Sequence, residues 1–257
     1  MGANYRGPRP GAGTTEPDKE SIMIQEIQRQ LLSLANPVDA LFLQKYFKTE
    51  PGQYGAGDLF RGIRMPVLRK LSLAHQGISL EAAHQLLQSP HHEDRQLALL
   101  ILVLKYAKAD QAEQSAIYRL YLDNTHLINN WDLVDSSAEH IVGAQLRDRS
   151  REPLELLSQS VSLWERRIAI LATFHYIKQG SFDATLSIAK QLLTDREDLI
   201  HKAVGWMLRE VGKRDLQKEE EFLRAHHGQM PRTMLRYAIE KFPQEKRLAY
   251  LKGFPPP

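Results

Sequence analysis

The feature that most constrains this chain is a helical pattern recurring about every 35 residues. Three segments, DRQLALL from Asp94, ERRIAIL from Glu165 and LIHKAVGW from Leu199, each open an apolar helix with a charged, partly basic first turn. Arg167 and Lys202 are 35 residues apart, and Arg236 follows 34 residues later. The same step backward from Arg167 reaches Asp132, beside another helix start at Trp131. A unit of this length holds two helices, and neither buries its apolar face until the next unit stacks on it. Alternating apolar and polar runs bounded by turn pairs, the mark of strands, are missing. The expected fold is therefore all-α: a right-handed α-solenoid of HEAT-like helical pairs. An irregular all-α bundle is the alternative.

The flanking sequence fits one repeat domain over residues 18–254. From Asp18 to Leu34, apolar residues fall at Ile22, Ile24, Ile27, Leu31 and Leu34, close to helical spacing. Pro37 is placed to start a second helix running through Phe47. Residues Glu50–Arg64 (EPGQYGAGDLFRGIR) read as a long Gly-rich, aromatic loop, and helix signals resume at Pro66. Residues 1–17 are rich in Gly, Pro and Thr and predict a disordered tail, with a frayed end at 255–257. The tail has no apolar core of a secretory signal, and Tyr5 and Arg6 suit a myristoylation signal poorly. No apolar run is long enough for a membrane span.

Much chemistry is excluded by what the chain lacks. With no cysteine there are no disulfides, thiolate zinc sites or thiol nucleophiles. Phosphate-binding glycine loops, paired-histidine zinc motifs and nucleophile elbows are also missing. The adjacent pairs His91–His92 and His226–His227 do not share a helix face, so no metal is expected. Catalysis, if present, has to rest on a carboxylate, and no cofactor is expected.

Two groupings point to a site. Arg167, Lys202 and Arg236 occupy similar points of successive inner helices, so a curved stack would align them as a basic stripe on its concave face. The net charge of only +3 makes this placement matter more than the total. Ordinary solvated helix ends are the competing explanation. The second grouping lies in INNWDLVDSSA, residues 128–138. Asn129 or Asn130 suits an N-cap, and Asp132 suits the positive end of the helix dipole. Trp131 and Asp135, four apart, share one face, where an aromatic ring and a carboxylate together can hold a cation. A core tryptophan beside a solvated aspartate would share that spacing. Further on, Gly205 leaves room for close approach beside Trp206, and Trp164 can staple neighbouring repeats.

The elements NWDLVD (130–135), ERRIAIL (165–171) and KAVGWMLRE (202–210), in this order and spacing, resemble the AlkD-type DNA glycosylases of the DNA alkylation repair family. The likeness runs from about Tyr46 to Phe242. It implies a HEAT-like solenoid that acts on double-stranded DNA and excises purines alkylated at N3 or N7 without extruding the base. On this resemblance Asp135 matches the catalytic carboxylate. Trp131 and Trp206 match the aromatics that hold the damaged nucleotide, and Arg167 a residue gripping the backbone. Lys202, Arg236 and Arg166 join the expected DNA contacts. A bacterial cytoplasmic monomer is implied. A non-catalytic binder of branched or distorted DNA and a protein-binding solenoid remain as alternatives.

Overall fold

The computed structural model describes residues 19–253. The expectations for residues 1–17 and 255–257 lie outside the described residues. The described chain is helical, with an isolated bridge between Leu59 and His91 as its β-type pairing.

The N-terminal helices are α1 (Lys19–Ser33), α2 (Pro37–Tyr46), α3 (Met65–Ala74), α4 (Leu80–Leu87), α5 (His92–Tyr106) and α6 (Gln111–Asp123). Five follow in the middle: α7 (Trp131–Asp135), α8 (Glu152–Ser158), α9 (Leu163–Ala172), α10 (Phe174–Ile177) and α11 (Asp183–Gln191). The chain closes with α12 (Asp198–Gly212), α13 (Leu216–His226), α14 (Arg232–Ala238) and α15 (Gln244–Lys252). The helix starts follow local rules. Asn36, Ser79, Asp110, Ser162 and Asp215 each accept hydrogen bonds from backbone N–H groups of the turn they cap, satisfying donors a helix start leaves orphaned. Pro37 supplies the first residue of α2, as its sequence predicts. The expected loop runs from the end of α2 to α3, with Gly62 at φ +83° where a Cβ would lie 2.1 Å from the Asn36 carbonyl oxygen.

The helices form two rows. One runs α5, α7, α9, α12, α14, each packed on the next, and α4, α6, α8, α11 and α13 back it. This is the HEAT-like solenoid that the period predicts. Leu97, Leu99 and Ile101 of α5, Ile168 and Ile170 of α9, and Val204, Met207 and Val211 of α12 are fully buried. Burying each such side chain contributes about 2 kcal/mol. The α12–α14 seam is tight because Gly205 has no side chain: a Cβ there would sit 2.4 Å from the Met234 carbonyl oxygen. The room left beside Trp206 is thus taken by the backbone of the next repeat.

Polar ties repeat with the same period. Arg61 pairs with Asp94 at 2.6 Å, 33 residues away. Arg95 reaches Asn129 at 3.0 Å, 34 residues on, and Gln96 reaches Ser136 at 2.8 Å, 40 residues on. Arg167 meets Asp135 across 32 residues, and Arg166 meets Asp195 across 29. The charged first turns read from sequence are therefore rungs between units. Asp94 and Arg95 are buried rather than solvated.

Candidate active site

The site forms around α7, a helix of one turn. Its anchors are Leu133 and Val134, both fully buried, and the Asn130 side chain, which accepts from the Trp131 N–H at 2.9 Å. Trp131 and Asp135 consequently project from a fixed base. The Trp131 ring stacks on Phe47 with centroids 5.0 Å apart and meets the Tyr46 ring edge-on at 5.9 Å.

Beside Trp131 opens a cleft of about 430 Å³. Aromatic groups wall it: Trp131, Trp206, Tyr46, Tyr54 and Tyr237. Its cations are Arg167, Lys202 and Arg209. Trp206 is fixed by an indole N–H donated to Glu210 at 3.3 Å and by contact with the Phe174 ring at 6.0 Å. Lys202 pairs with Asp198 at 2.8 Å, and Arg209 with Glu240.

At the back of the cleft Arg167 grips Asp135 with two parallel bonds, Nε to Oδ1 at 2.8 Å and Nη2 to Oδ2 at 2.7 Å. Its Nη1 donates to the Leu199 carbonyl at 2.6 Å. A guanidinium has five N–H donors, so two remain for a group entering the cleft. The Asp135 side chain keeps 19% of its exposure. Burial pushes its carboxyl above the ordinary carboxylate value, the Arg167 charge and hydrogen bonds offset only part of that rise, and Asp132 adds to the upward push.

The sequence matches the family of DNA alkylation repair enzymes over residues 27–242. The chain belongs to that family. Its fold also resembles a solved structure described as a predicted DNA alkylation repair enzyme from Enterococcus faecalis, with a TM-score of 0.63 and 19% identity over 82% of this chain and 97% of that one. AlkD2 from Streptococcus mutans is similar at a TM-score of 0.52 and 15% identity, covering 80% of this chain and 97% of its own. No curated protein matches. Among the described residues no helix is long and apolar enough to cross a membrane, and no cluster of three His, Asp or Glu side chains is arranged to hold a metal ion.

For this family member, the residues expected from sequence divide into two groups. Trp131, Trp206, Arg167 and Lys202 meet in the cleft, with Asp135 directly behind Arg167. Arg166 turns to Asp195 at 2.6 Å and to the Ser160 carbonyl at 3.0 Å, away from the cleft's lining. Arg236 is exposed and lines the next groove along with Arg247 and Glu240. One residue of phase explains the latter: a strict step of 35 from Lys202 lands on Tyr237, which does face the cleft. Extending the period by 35 instead of 34 would have found that ring.

Sequence reading also missed Tyr46, Tyr54 and a charged cluster on the other side of α7. His92, stacked on Phe60 at 4.5 Å, is held between Asp58 at 2.9 Å and Asp132 at 2.8 Å. Arg95 reaches Asp58 at 2.5 Å. Burial alone would lower the His92 pKa, but the charges and hydrogen bonds of Asp132 and Asp58 outweigh it and raise it to about 9. His92 is therefore an imidazolium at neutral pH. Asp132, assigned from sequence to the helix dipole, is its partner.

Proposed function

We propose that the protein is a DNA glycosylase that hydrolyses the N-glycosidic bond of cationic N3- or N7-alkylated purines in double-stranded DNA. The observation that carries this reading is a carboxylate, Asp135, fixed by Arg167 at the back of a cleft walled by Trp131 and Trp206. An alkylated purine bears a positive charge, so the bond from C1′ to the base nitrogen breaks with its electron pair moving to the ring. The base leaves neutral, and no general acid has to protonate it. The sugar becomes oxocarbenium-like, water adds its oxygen to C1′, and the water's proton passes to solvent or to Asp135.

Residues of this chain act on the cation. A carboxylate about 4 Å from it, at an effective dielectric near 20, contributes roughly 4 kcal/mol, about a thousandfold in rate. Trp131 and Trp206 present ring faces that attract the developing charge and exclude bulk water. Arg167 opposes the upward push of burial on the Asp135 carboxyl and orients it, and its two remaining donors suit a phosphate oxygen of the strand. Because the carboxylate is already in place, charge stabilisation needs no reorganisation at the moment of reaction. A cleft of about 430 Å³ walled by aromatic rings and cations supports attack on the sugar without extrusion of the base.

Single-turnover release of 7-methylguanine from a methylated duplex tests the reading, with wild type beside Asp135→Asn. Release by wild type and a loss of about a thousandfold in the variant is the expected result. An inactive wild type that still binds duplex or branched DNA would replace the enzyme with a non-catalytic binder of distorted DNA.

A further inference from the structure

Trp131 and Trp206 wall the same cleft but are held in different ways. Trp131 lies nearly flat on the buried Phe47 ring, 24° from parallel at 5.0 Å. Trp206 has no such bed. Its ring meets Phe174 at 6.0 Å and 58°, a tilted and more distant contact. The torsion that turns an indole over is broad and roughly two-fold, and a tilted ring contact tolerates either orientation. The indole N–H does not, because turning the ring over carries its single polar atom away from its partner.

That partner is Glu210, one turn further along α12 and on the same face. Glu210 is 6% exposed. Its Oε1 accepts from Trp206 Nε1 at 3.3 Å and from Lys213 Nζ at 2.6 Å, and its Oε2 accepts from Arg214 Nη1 at 3.1 Å. Arg214 Nη1 also donates to the Glu210 backbone carbonyl at 2.9 Å, so these two residues are tied twice. The Arg214 guanidinium lies 5.9 Å from the centre of the Phe174 ring. Both groups that touch Trp206 are thus backed by Arg214. Burial pushes the Glu210 carboxyl up, but the hydrogen bonds and charge of Lys213, the bond from Arg214 and the indole N–H bring it below the ordinary value. The acceptor for the indole is therefore a full charge, which strengthens the bond. Cohesion does not call for a carboxylate here. Lys213 and Arg214 stay partly exposed and could be hydrated without it, and a negative charge beside a cleft for DNA opposes binding.

We infer that Glu210 is a positioning residue for base release, which fixes the Trp206 ring in the one orientation that presents its face to the sugar. The inference rests on the glycosylase reading for the step it serves, but not for the hold on the ring.

Glu210→Met in the full chain is the test, because methionine keeps the length of the side chain and removes the acceptor. Single-turnover release of 7-methylguanine should slow about tenfold, the loss of one charge-assisted hydrogen bond. Duplex affinity should hold or tighten, since the exchange removes a negative charge and frees two cations. The chain has three tryptophans, so the Trp206 indole N–H is a resolved line in a heteronuclear NMR spectrum. Its proton signal should move upfield and exchange faster with solvent. Replacing Trp206 by β-(3-benzothienyl)alanine, an isostere without the N–H, should slow release to the same extent, and adding Glu210→Met should slow it no further. Equal losses of release and duplex affinity in Glu210→Met overturn the inference, and so does further slowing in the isostere background. If Glu210→Met does not fold, the isostere alone decides, and release at the wild-type rate overturns it. An unmoved indole signal in an active enzyme sinks the role of Glu210 alone; a wild type that releases no base sinks the glycosylase reading itself.

Discussion

The two flanks of α7 treat a carboxylate in opposite ways. Toward the N-terminus, Asp132 closes a sealed cluster in which Asp58 and His92 are both nearly inaccessible and both imidazole nitrogens are engaged. Toward the C-terminus, three residues later, Asp135 meets the guanidinium of Arg167, which still has donors to offer and itself lines an open cleft. One flank turns its charge inward, where every carboxylate oxygen has a partner. The other brings Arg167, Lys202 and Arg209 to a surface walled by rings. On the proposed glycosylase reading, the same side chain serves cohesion on one side of a single helical turn and chemistry on the other, and its partner decides which.

The sharpest way to break this comparison is to neutralise each carboxylate in turn. Asp135→Asn should slow base release about a thousandfold with a small change in Tm. Asp132→Asn should do the reverse, costing about 3 kcal/mol of stability, because a buried charge loses its counter-ion, while single-turnover release stays within a few-fold of wild type. Chemical denaturation paired with the release assay reads both. If Asp132→Asn also abolishes release in a folded protein, the division of labour fails.

The next largest effect is a pH dependence. His92 has its pKa raised from 6.5 to about 9 in the folded state. Its contribution is fully present below about pH 6.5 and fades as pH rises through 9. A shift of that size corresponds to roughly 3 kcal/mol. Denaturant midpoints measured between pH 6 and pH 10 should fall in wild type, and the fall should be much smaller in Asp132→Asn. An equally steep decline in the variant would remove the imidazolium from the account.

A third comparison sets one repeat seam against an open turn. Gly205→Ala forces a Cβ into the Met234 carbonyl, whereas Gly77 has nothing within 4 Å of such an atom. We expect Gly205→Ala to lower stability by about 2 kcal/mol, with Gly77→Ala close to neutral. Equal midpoints for the two would mean the seam relaxes freely.

The smallest effects separate cations that sit on the cleft from those tied elsewhere. Lys202→Ala should weaken duplex binding a few-fold and reduce the slope of log affinity against log salt by about one. Arg166→Ala, held by Asp195 outside the cleft, should leave the slope unchanged. A slope altered equally by both would return Arg166 to the binding surface.

Much of this was legible in the sequence. The period of about 35 foretold the stacked pairs, and Pro37 foretold the start of α2. The illegible parts are contacts between units. His92 and Asp132 lie 40 residues apart, and nothing local in either segment shows that they meet. Arg167 read as a free cation because its partner lies 32 residues upstream. The Glu50–Arg64 loop gave no sign that Tyr54 would reach the cleft or that Asp58 would sit beneath His92. Such pairings depend on the rotation from one unit to the next, which varies by a residue or two along the chain, as the shift from Arg236 to Tyr237 illustrates.

The rungs between units carry a mechanical consequence. The cross-repeat ties described above span 29 to 40 residues, so each fastens a unit to its immediate neighbour. A load applied at one end therefore passes to the other through every joint in series, as through a leaf spring. Small rotations at successive joints add, while the distances inside any one unit hardly change. The arc can open or close around a stiff rod while the single turn of α7, anchored by Leu133 and Val134, keeps its shape.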